Sequence, residues 1–418
     1  MNILFIHQNF PAQFKFLVPQ LLKLGHSIDV LTIEGTKITG VNYHQYSPAR
    51  SSSKNILASA VDFETKLIRG EACAIKMNEL KSLGYSPDMI IVHPGWGEAL
   101  FIKDIYPKVK QLHFLEFYYD NAGADVDFDP EFKSTSIQEK FKVRAKNATA
   151  LLSLEQMDWG YAPTKWQQSR YPERYQNKII NIFDGIDTQK VRPLQKEEAL
   201  SLNLKHEGGH TISLNAGDEI LTFVNRNLEP YRGYHCFMRA LPLIQKERRN
   251  ALTLIVGGSD TSYGAKPPGS KSWKQIFLEE VKDELDLSKI FFLDRISYDL
   301  YLKVLQLSRC HVYLTYPFVL SWSCLEAMST GCVVVGSKTP PVEEVIEHGV
   351  NGLLVDFFDT TQLASQVVEV LSNPEQFKDL RKNARATVVD RYDLHSICLP
   401  KQIALIEEMG GATSINEQ

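Results

Sequence analysis

Residues 315–335 run TYPFVLSWSCLEAMSTGCVVV, a pattern of strand, turn, helix, tight glycine turn and strand. Ser321 or Ser323 would cap the helix. Its first turn, around Leu320, Ser321, Trp322 and Ser323, would present backbone N–H groups at the positive end of the helix dipole. That is an anion site suited to a diphosphate. Glu326 follows about one turn later, where its carboxylate could accept from both hydroxyls of a ribose. A second segment, residues 224–233, reads VNRNLEPYRG. Arg226 and Arg232 follow a strand, and a guanidinium makes forked, charge-assisted bonds to phosphate oxygens. The pair could neutralise the charge on a departing nucleotide. A third segment, HPGWGE at residues 93–98, follows the apolar strand MIIV. Its proline and glycines make a tight turn, glycine lets a ligand approach the backbone, and His93 is placed to hydrogen-bond a sugar hydroxyl or a phosphate.

Metal and cofactor chemistry find little support. Residues 120–129, DNAGADVDFD, offer alternating carboxylates, but Pro130 stands where a calcium loop needs glycine. They read as a solvated or acceptor-facing loop. The cysteines show neither C-x-x-C pairing nor histidines at zinc spacing. No metal site and no bound cofactor are expected. No G-x-G-x-x-G follows the first strand, and there is no Walker loop or G-x-S-x-G elbow, which argues against nicotinamide, flavin, P-loop and hydrolase chemistry.

Strand ends must hold these segments. At roughly 100–200 residues per domain, 418 residues suggest two domains. A net charge of −4 gives no electrostatic grip on nucleic acid. Apolar strands are expected at 3–6, 27–33, 89–92, 111–117 and 149–154, with an amphipathic helix at 13–24. A second series at 220–224, 252–256, 290–293, 311–316 and 332–335 alternates with helices at 236–245, 273–285, 300–307 and 324–329. Such alternation implies βαβ units and parallel sheets. Residues 192–218 read as a polar linker. Ligands of parallel sheets sit beyond the carboxyl ends of the strands, so the loops at 7–12, 93–98, 225–233, 257–272, 317–323 and 337–341 are the candidates. The loop at 257–272, rich in Gly, Ser and Pro, reads as a mobile lid.

The start, MNILFIHQNF, lacks the basic end and long apolar run of a signal peptide. No stretch approaches the roughly 18 apolar residues of a membrane span, and scattered cysteines fit a reducing compartment. The chain is expected to be soluble and cytoplasmic. The stretch KFKVRAK at 140–146 reads as a solvated helix face, with a second reading as a peripheral contact to an anionic acceptor or the inner face of a membrane. Nothing in the sequence sets an oligomeric state.

Together with NKIINIFDGIDTQKVRP at 177–193, LEAMSTGCVVVGS at 325–337 and VEEVIEHGVNGLLVD at 342–356, these segments make the chain resemble, over nearly its whole length, the retaining glycosyltransferases of family 4. FPAQF and HPGWGE suggest a subgroup. The resemblance implies an α/β GT-B fold, in which two Rossmann-like domains turn parallel sheets toward a central cleft. Residues 1–184 would bind the acceptor and 185–391 the nucleotide sugar. Residues 392–418 would return to the first domain, as a helix at 392–409 and a tail. Domain closure would assemble the site. It implies metal-independent transfer from a nucleoside-diphosphate sugar to a glycan, lipid-linked or other small acceptor, in bacterial surface polysaccharide or glycolipid assembly.

By the same resemblance, Arg226 matches the phosphate-binding Arg, and Arg232 stands where the family has Lys. Glu326 matches the second Glu of E-x7-E, and His93 the histidine near the donor sugar. Asn9 to Gln13 occupy the first loop, near the donor phosphate. There are three departures. Phe318 replaces the first Glu of the motif and is expected to line the sugar pocket, VLSWS replaces a glycine-rich loop, and Pro-Ala-Gln replaces the first loop's glycines. They leave the fold intact and open two other readings: a non-catalytic sugar-nucleotide-binding or glycan-assembly scaffold, and an NDP-sugar epimerase.

Overall fold

The computed structural model describes residues 1–411 apart from 135, 196–199, 206–208 and 210. Parts of the expected linker (196–199, 206–208 and 210) and of the expected tail (412–418) lie outside the described residues. The chain divides into two compact units, Met1–Gly185 with His395–Gln418, and Ile186–Leu394.

The first unit is built on a seven-stranded sheet. Its order is Val41–Gln45, Ser27–Thr32, Asn2–Ile6, Met89–Val92, Lys110–Phe114, Trp159–Ala162 and Ile179–Asn181, with every pair parallel. Ile3 to Ile6 and Met89 to Val92 are all fully buried, as strands covered on both faces must be. The helix Val61–Ser82 packs Cys73 and Met77, four residues apart, against Leu4, Ile6, Ile90 and Val92. The strand order reverses between Asn2–Ile6 and Met89–Val92. The loops at 7–12 and 93–98 leave the sheet at that reversal, where ligands of open parallel sheets collect.

Residues 149–154, expected as a strand, lie in the helix Ile137–Gln156. Ala, Leu and Glu favour helix there, and the strand of this region is Trp159–Ala162. The expected helix at 13–24 is a short 3-10 turn, Ala12–Phe14, followed by Leu17–Lys23.

The second unit carries a six-stranded parallel sheet in the order Ile290–Phe292, Leu252–Gly258, Ile220–Asn227, Cys310–Tyr313, Val333–Ser337 and Leu353–Val355. Its reversal falls between Ile220–Asn227 and Cys310–Tyr313. The expected linker at 192–218 holds an antiparallel pair, Ser201–Lys205 with Thr211–Asn215. Leu202, Leu204, Ile212 and Leu214 alternate with polar residues at the strand period, a signal masked by the polar residues around it.

The expected single helix at 392–409 is broken. The helix Lys378–Tyr392 ends, a π turn spans Leu394–Cys398, and a new helix runs Leu399–Gly410 with Pro400 in its first turn. Asp393 is held by the Thr188 hydroxyl and by a bridge to Ile186. The last helix belongs to the first unit. Lys110 Nζ donates to the Met409 carbonyl (2.6 Å), Gln402 to the Phe183 carbonyl (3.2 Å), and Ile406 is fully buried. Ile406→Ala is expected to cost about 2–5 kcal/mol, seen as an earlier urea midpoint. An unchanged midpoint would mean that this helix adds nothing to the first unit.

Candidate functional site

In the second unit the strand Ile220–Asn227 runs into a 3-10 turn, Pro230–Arg232, and then the helix Tyr234–Glu247. Gly233 joins them at φ +70°, and a Cβ there would lie 2.3 Å from the Leu314 Cβ. That approach brings Arg232 against the loop that follows Cys310–Tyr313. Arg232 is buried, and its Nη1 donates to Thr315 Oγ1 (2.8 Å) and to the Val319 carbonyl (2.9 Å). Its guanidinium lies 5.3 Å from the Tyr263 ring centroid and 5.8 Å from that of Phe318. Arg226 is exposed.

Sequence reasoning missed Glu229, which stands between the two arginines and interacts with both. Its carboxylate is 1% exposed and accepts the backbone N–H groups of Ser262 (3.1 Å) and Tyr263 (3.0 Å). Asn227 adds a bond to Ser262 Oγ (2.6 Å). The loop at 257–272, expected to be a free lid, is thus tied at its middle. Burial raises Glu229 to about 7, against the pull of those N–H groups and of Arg232 and Arg226. The folded value exceeds the unfolded one, about 4.3, so the folded state holds this proton more tightly. Its contribution to stability is present below about pH 4.3 and is lost as pH rises through about 7. Glu229→Gln should therefore gain melting temperature relative to wild type on moving from about pH 5 to about pH 8, by several degrees in order of magnitude. A difference that stays constant with pH would show that Glu229 does not titrate in this window.

Phe318 is buried in an aromatic cluster, not open as a sugar platform. It meets Tyr231 edge-on (5.4 Å) and Tyr263 at 5.0 Å, while Tyr231 packs on Tyr316 at 4.7 Å. Leu320 is also buried. Ser321 caps the helix Trp322–Ser329, its Oγ accepting from Ser323 N–H (3.4 Å), and Ser323 Oγ donates back to it (3.1 Å). Trp322 is half-buried.

Glu326 lies on this helix, 6% exposed. Its Oε1 accepts from the Tyr298 hydroxyl (2.6 Å) and its Oε2 from the Tyr301 hydroxyl (2.7 Å). The two tyrosines are three residues apart on the helix Tyr298–Leu307 and so share a face. Burial first, and then the carboxylate, raises both phenols, so they remain donors. They too were missed, although the Tyr-x-x-Tyr spacing was visible.

In the first unit His93 caps a 3-10 turn, Pro94–Trp96, and its Nδ1 accepts the Gly95 N–H (3.1 Å). The glycines of this turn serve packing rather than ligand approach. A Cβ on Gly95 would lie 2.7 Å from the His93 ring, and Gly97, at φ +106°, would bring one within 2.1 Å of the Lys66 carbonyl. His93 is 2% exposed, stacks on Trp96 (4.1 Å), and points Nε2 toward the Glu116 carboxylate at 3.7 Å. Glu98, fully buried and pushed up by that burial, accepts from Tyr46 (2.8 Å). Asn9 is exposed and donates its backbone N–H to His7 Nδ1 (3.0 Å), and Gln13 interacts with the same ring. In the carboxylate-rich loop at 120–129, Asp120 pairs with Arg170, and Asp129 accepts the Glu131 N–H (2.9 Å).

The strand orders, with the reversal in each sheet, invite comparison with known proteins. Residues 25–191 match the family model described as glycosyl transferase family 4 group, and residues 210–387 match that described as glycosyl transferases group 1. An uncharacterized glycosyltransferase of Methanocaldococcus jannaschii is 26% identical, over 92% of this chain and 90% of its own length. Sucrose-phosphate synthase from Thermosynechococcus elongatus superposes with a TM-score of 0.72 at 16% identity, over 99% of this chain and 100% of that one. Anabaena HepE in complex with UDP and glucose gives 0.65 at 15% identity, over 98% and 99%. With one family description over each half of its sequence, and with these neighbours in fold, the chain belongs to the group 1 glycosyltransferases of family 4 and has the GT-B fold.

Proposed function

We propose that the protein is a retaining glycosyltransferase that moves a sugar from a nucleoside-diphosphate donor to a hydroxyl of a glycan, lipid-linked or other small acceptor, without a divalent metal. The observation that carries this reading is Glu326, a buried carboxylate held on both oxygens by tyrosine hydroxyls on a capped helix. It suits a ribose diol. Arg232, Arg226 and the first turn after Ser321 suit the diphosphate. The binding of UDP and glucose by HepE supports a nucleotide sugar as the donor.

The acceptor oxygen attacks the anomeric carbon on the face that the diphosphate leaves. The bond from that carbon to the phosphate oxygen breaks, and the acceptor proton passes to that oxygen. The two arginines take the role a metal would have, stabilising the leaving charge. His93 holds a sugar hydroxyl.

The proposed setting is cytoplasmic. No helix among the described residues is long and apolar enough to cross a membrane. Ile137 and Phe141 are exposed beside Lys140 and Arg144 on one helix, which supports a peripheral contact with an anionic surface.

A thermal-shift screen of UDP, GDP, ADP and dTDP, each with its sugar conjugates and with EDTA present, tests the reading. One nucleotide and its conjugates should raise the melting temperature by mass action, with no loss in EDTA. No shift from any of them in folded protein would overturn it. Phe318, buried where the family carries a glutamate, favours a second reading as a non-catalytic sugar-nucleotide binder. Binding without turnover, unrestored by Phe318→Glu, would decide for that.

A further inference from the structure

The loop after the first strand carries a second histidine beside His93. His7 is 2% exposed, and its Nδ1 accepts the Asn9 N–H, as the Nδ1 of His93 accepts the Gly95 N–H. A ring nitrogen that accepts leaves the proton on the other nitrogen, so both imidazoles are set as Nε2–H donors. Both Nε2 atoms and Gln13 Oε1 are buried and make no full hydrogen bond: Gln13 interacts with the His7 ring, and His93 Nε2 faces the Glu116 carboxylate at 3.7 Å. The rings meet edge to face at 5.5 Å and 86°. Trp96 and Phe14 hold the His7 ring at 5.0 Å and 6.0 Å. A buried hydrogen bond left unmade is costly. Here two such donors and an acceptor lie together at the point where the strand order of this sheet reverses, which is where ligands bind.

We propose that His7, Gln13 and His93 form a subsite for sugar hydroxyl oxygens, with His7 a specificity-determining residue of the transfer reaction. The assignment to transfer rests on the function proposed above; the assignment to sugar hydroxyls rests on the donors themselves. Burial, and then His93, depress His7 to about 3, so it cannot add a cation to a phosphate at neutral pH. A neutral N–H donor and an amide match the alternating donors and acceptors of a polyol. The sugar could come from either substrate, and the experiment separates the two.

Protein labelled with 15N-histidine is titrated with UDP-, GDP-, ADP- and dTDP-sugars, with the free nucleoside diphosphates, and with methyl glycosides, while the ring signals are followed. His7 should appear as the Nε2–H tautomer. Movement with a nucleotide sugar but not with its nucleotide assigns the subsite to the donor. Movement with a methyl glycoside alone assigns it to the acceptor. His7→Phe keeps an aromatic ring against Phe14 and Trp96 but cannot donate. It should raise KM for that sugar about tenfold with little change in kcat or melting temperature. His7→Gln, which keeps an N–H, should recover part of the loss. A proton on Nδ1, His7 signals unmoved by every sugar, or wild-type KM in folded His7→Phe would each overturn the proposal. Failure of the transferase reading looks different: His7 would respond to a sugar while no donor is turned over.

Discussion

Arg232→Ala and Arg226→Ala should each lower kcat/KM for sugar transfer by about 10²–10³, the loss seen when one preorganised donor to a developing negative charge is removed. The two variants should differ in stability. Arg232 is buried and supplies the bonds to Thr315 Oγ1 and the Val319 carbonyl. Its removal should also cost about 1–3 kcal/mol, because those groups lose a buried partner. Arg226 is exposed, so its alanine variant should melt as wild type does while losing rate. Arg232→Lys should recover the charge but not the fork that spans two acceptors. The measurement is steady-state transfer with the donor found by thermal shift, beside the melting temperature of each variant. Normal turnover in both alanine variants would remove the arginines from the reaction. Rate loss that merely follows stability in Arg232→Ala, with none in Arg226→Ala, would leave Arg232 a structural clip.

The parallel sheets were legible because their central strands are buried on both faces. Burial there forces continuous apolar runs such as Ile3 to Ile6 and Met89 to Val92. The same rule misled at 149–154, where an apolar run belongs to a long helix. Periodicity cannot separate a short buried strand from part of a buried helix. In the site, the residue types suited to a diphosphate stood out as Arg226, Arg232 and Ser321 to Ser323, and the carboxylate suited to a ribose as Glu326. Their partners did not. Glu229 takes its bonds from residues 33 and 34 positions away, and Tyr298 and Tyr301 reach Glu326 across 28 and 25. A sequence shows what a side chain can bond, while the fold decides what arrives. Phe318 makes the same point. It stood out as a departure from a family motif, yet its aromatic neighbours Tyr231 and Tyr263 come from two other segments far away in the sequence.

Glu326→Gln should weaken binding of the cognate nucleoside diphosphate about 10–100-fold, or roughly 1.4–2.8 kcal/mol. A hydrogen bond to a charged acceptor is worth about 1.5–3 kcal/mol, and a ribose diol offers two donors. The tyrosines do not compete with this role. A carboxylate has about four lone-pair sites, so oxygens that each accept from a phenol can each accept again from a hydroxyl. Tyr298 and Tyr301 instead fix the orientation of the carboxylate and offset the cost of burying its charge. Tyr298→Phe or Tyr301→Phe should therefore weaken binding less, by about 3–10-fold. The control that isolates the sugar is a matched pair of ribo- and 2′-deoxyribonucleoside diphosphates. Wild type should prefer the ribo form, and Glu326→Gln should lose most of that preference, with a smaller loss of affinity for the 2′-deoxy form, which keeps only the 3′-hydroxyl donor. Equal loss for both forms would place Glu326 in the scaffold of the helix. A preserved ribo preference in the variant would mean that the diol is read by another residue.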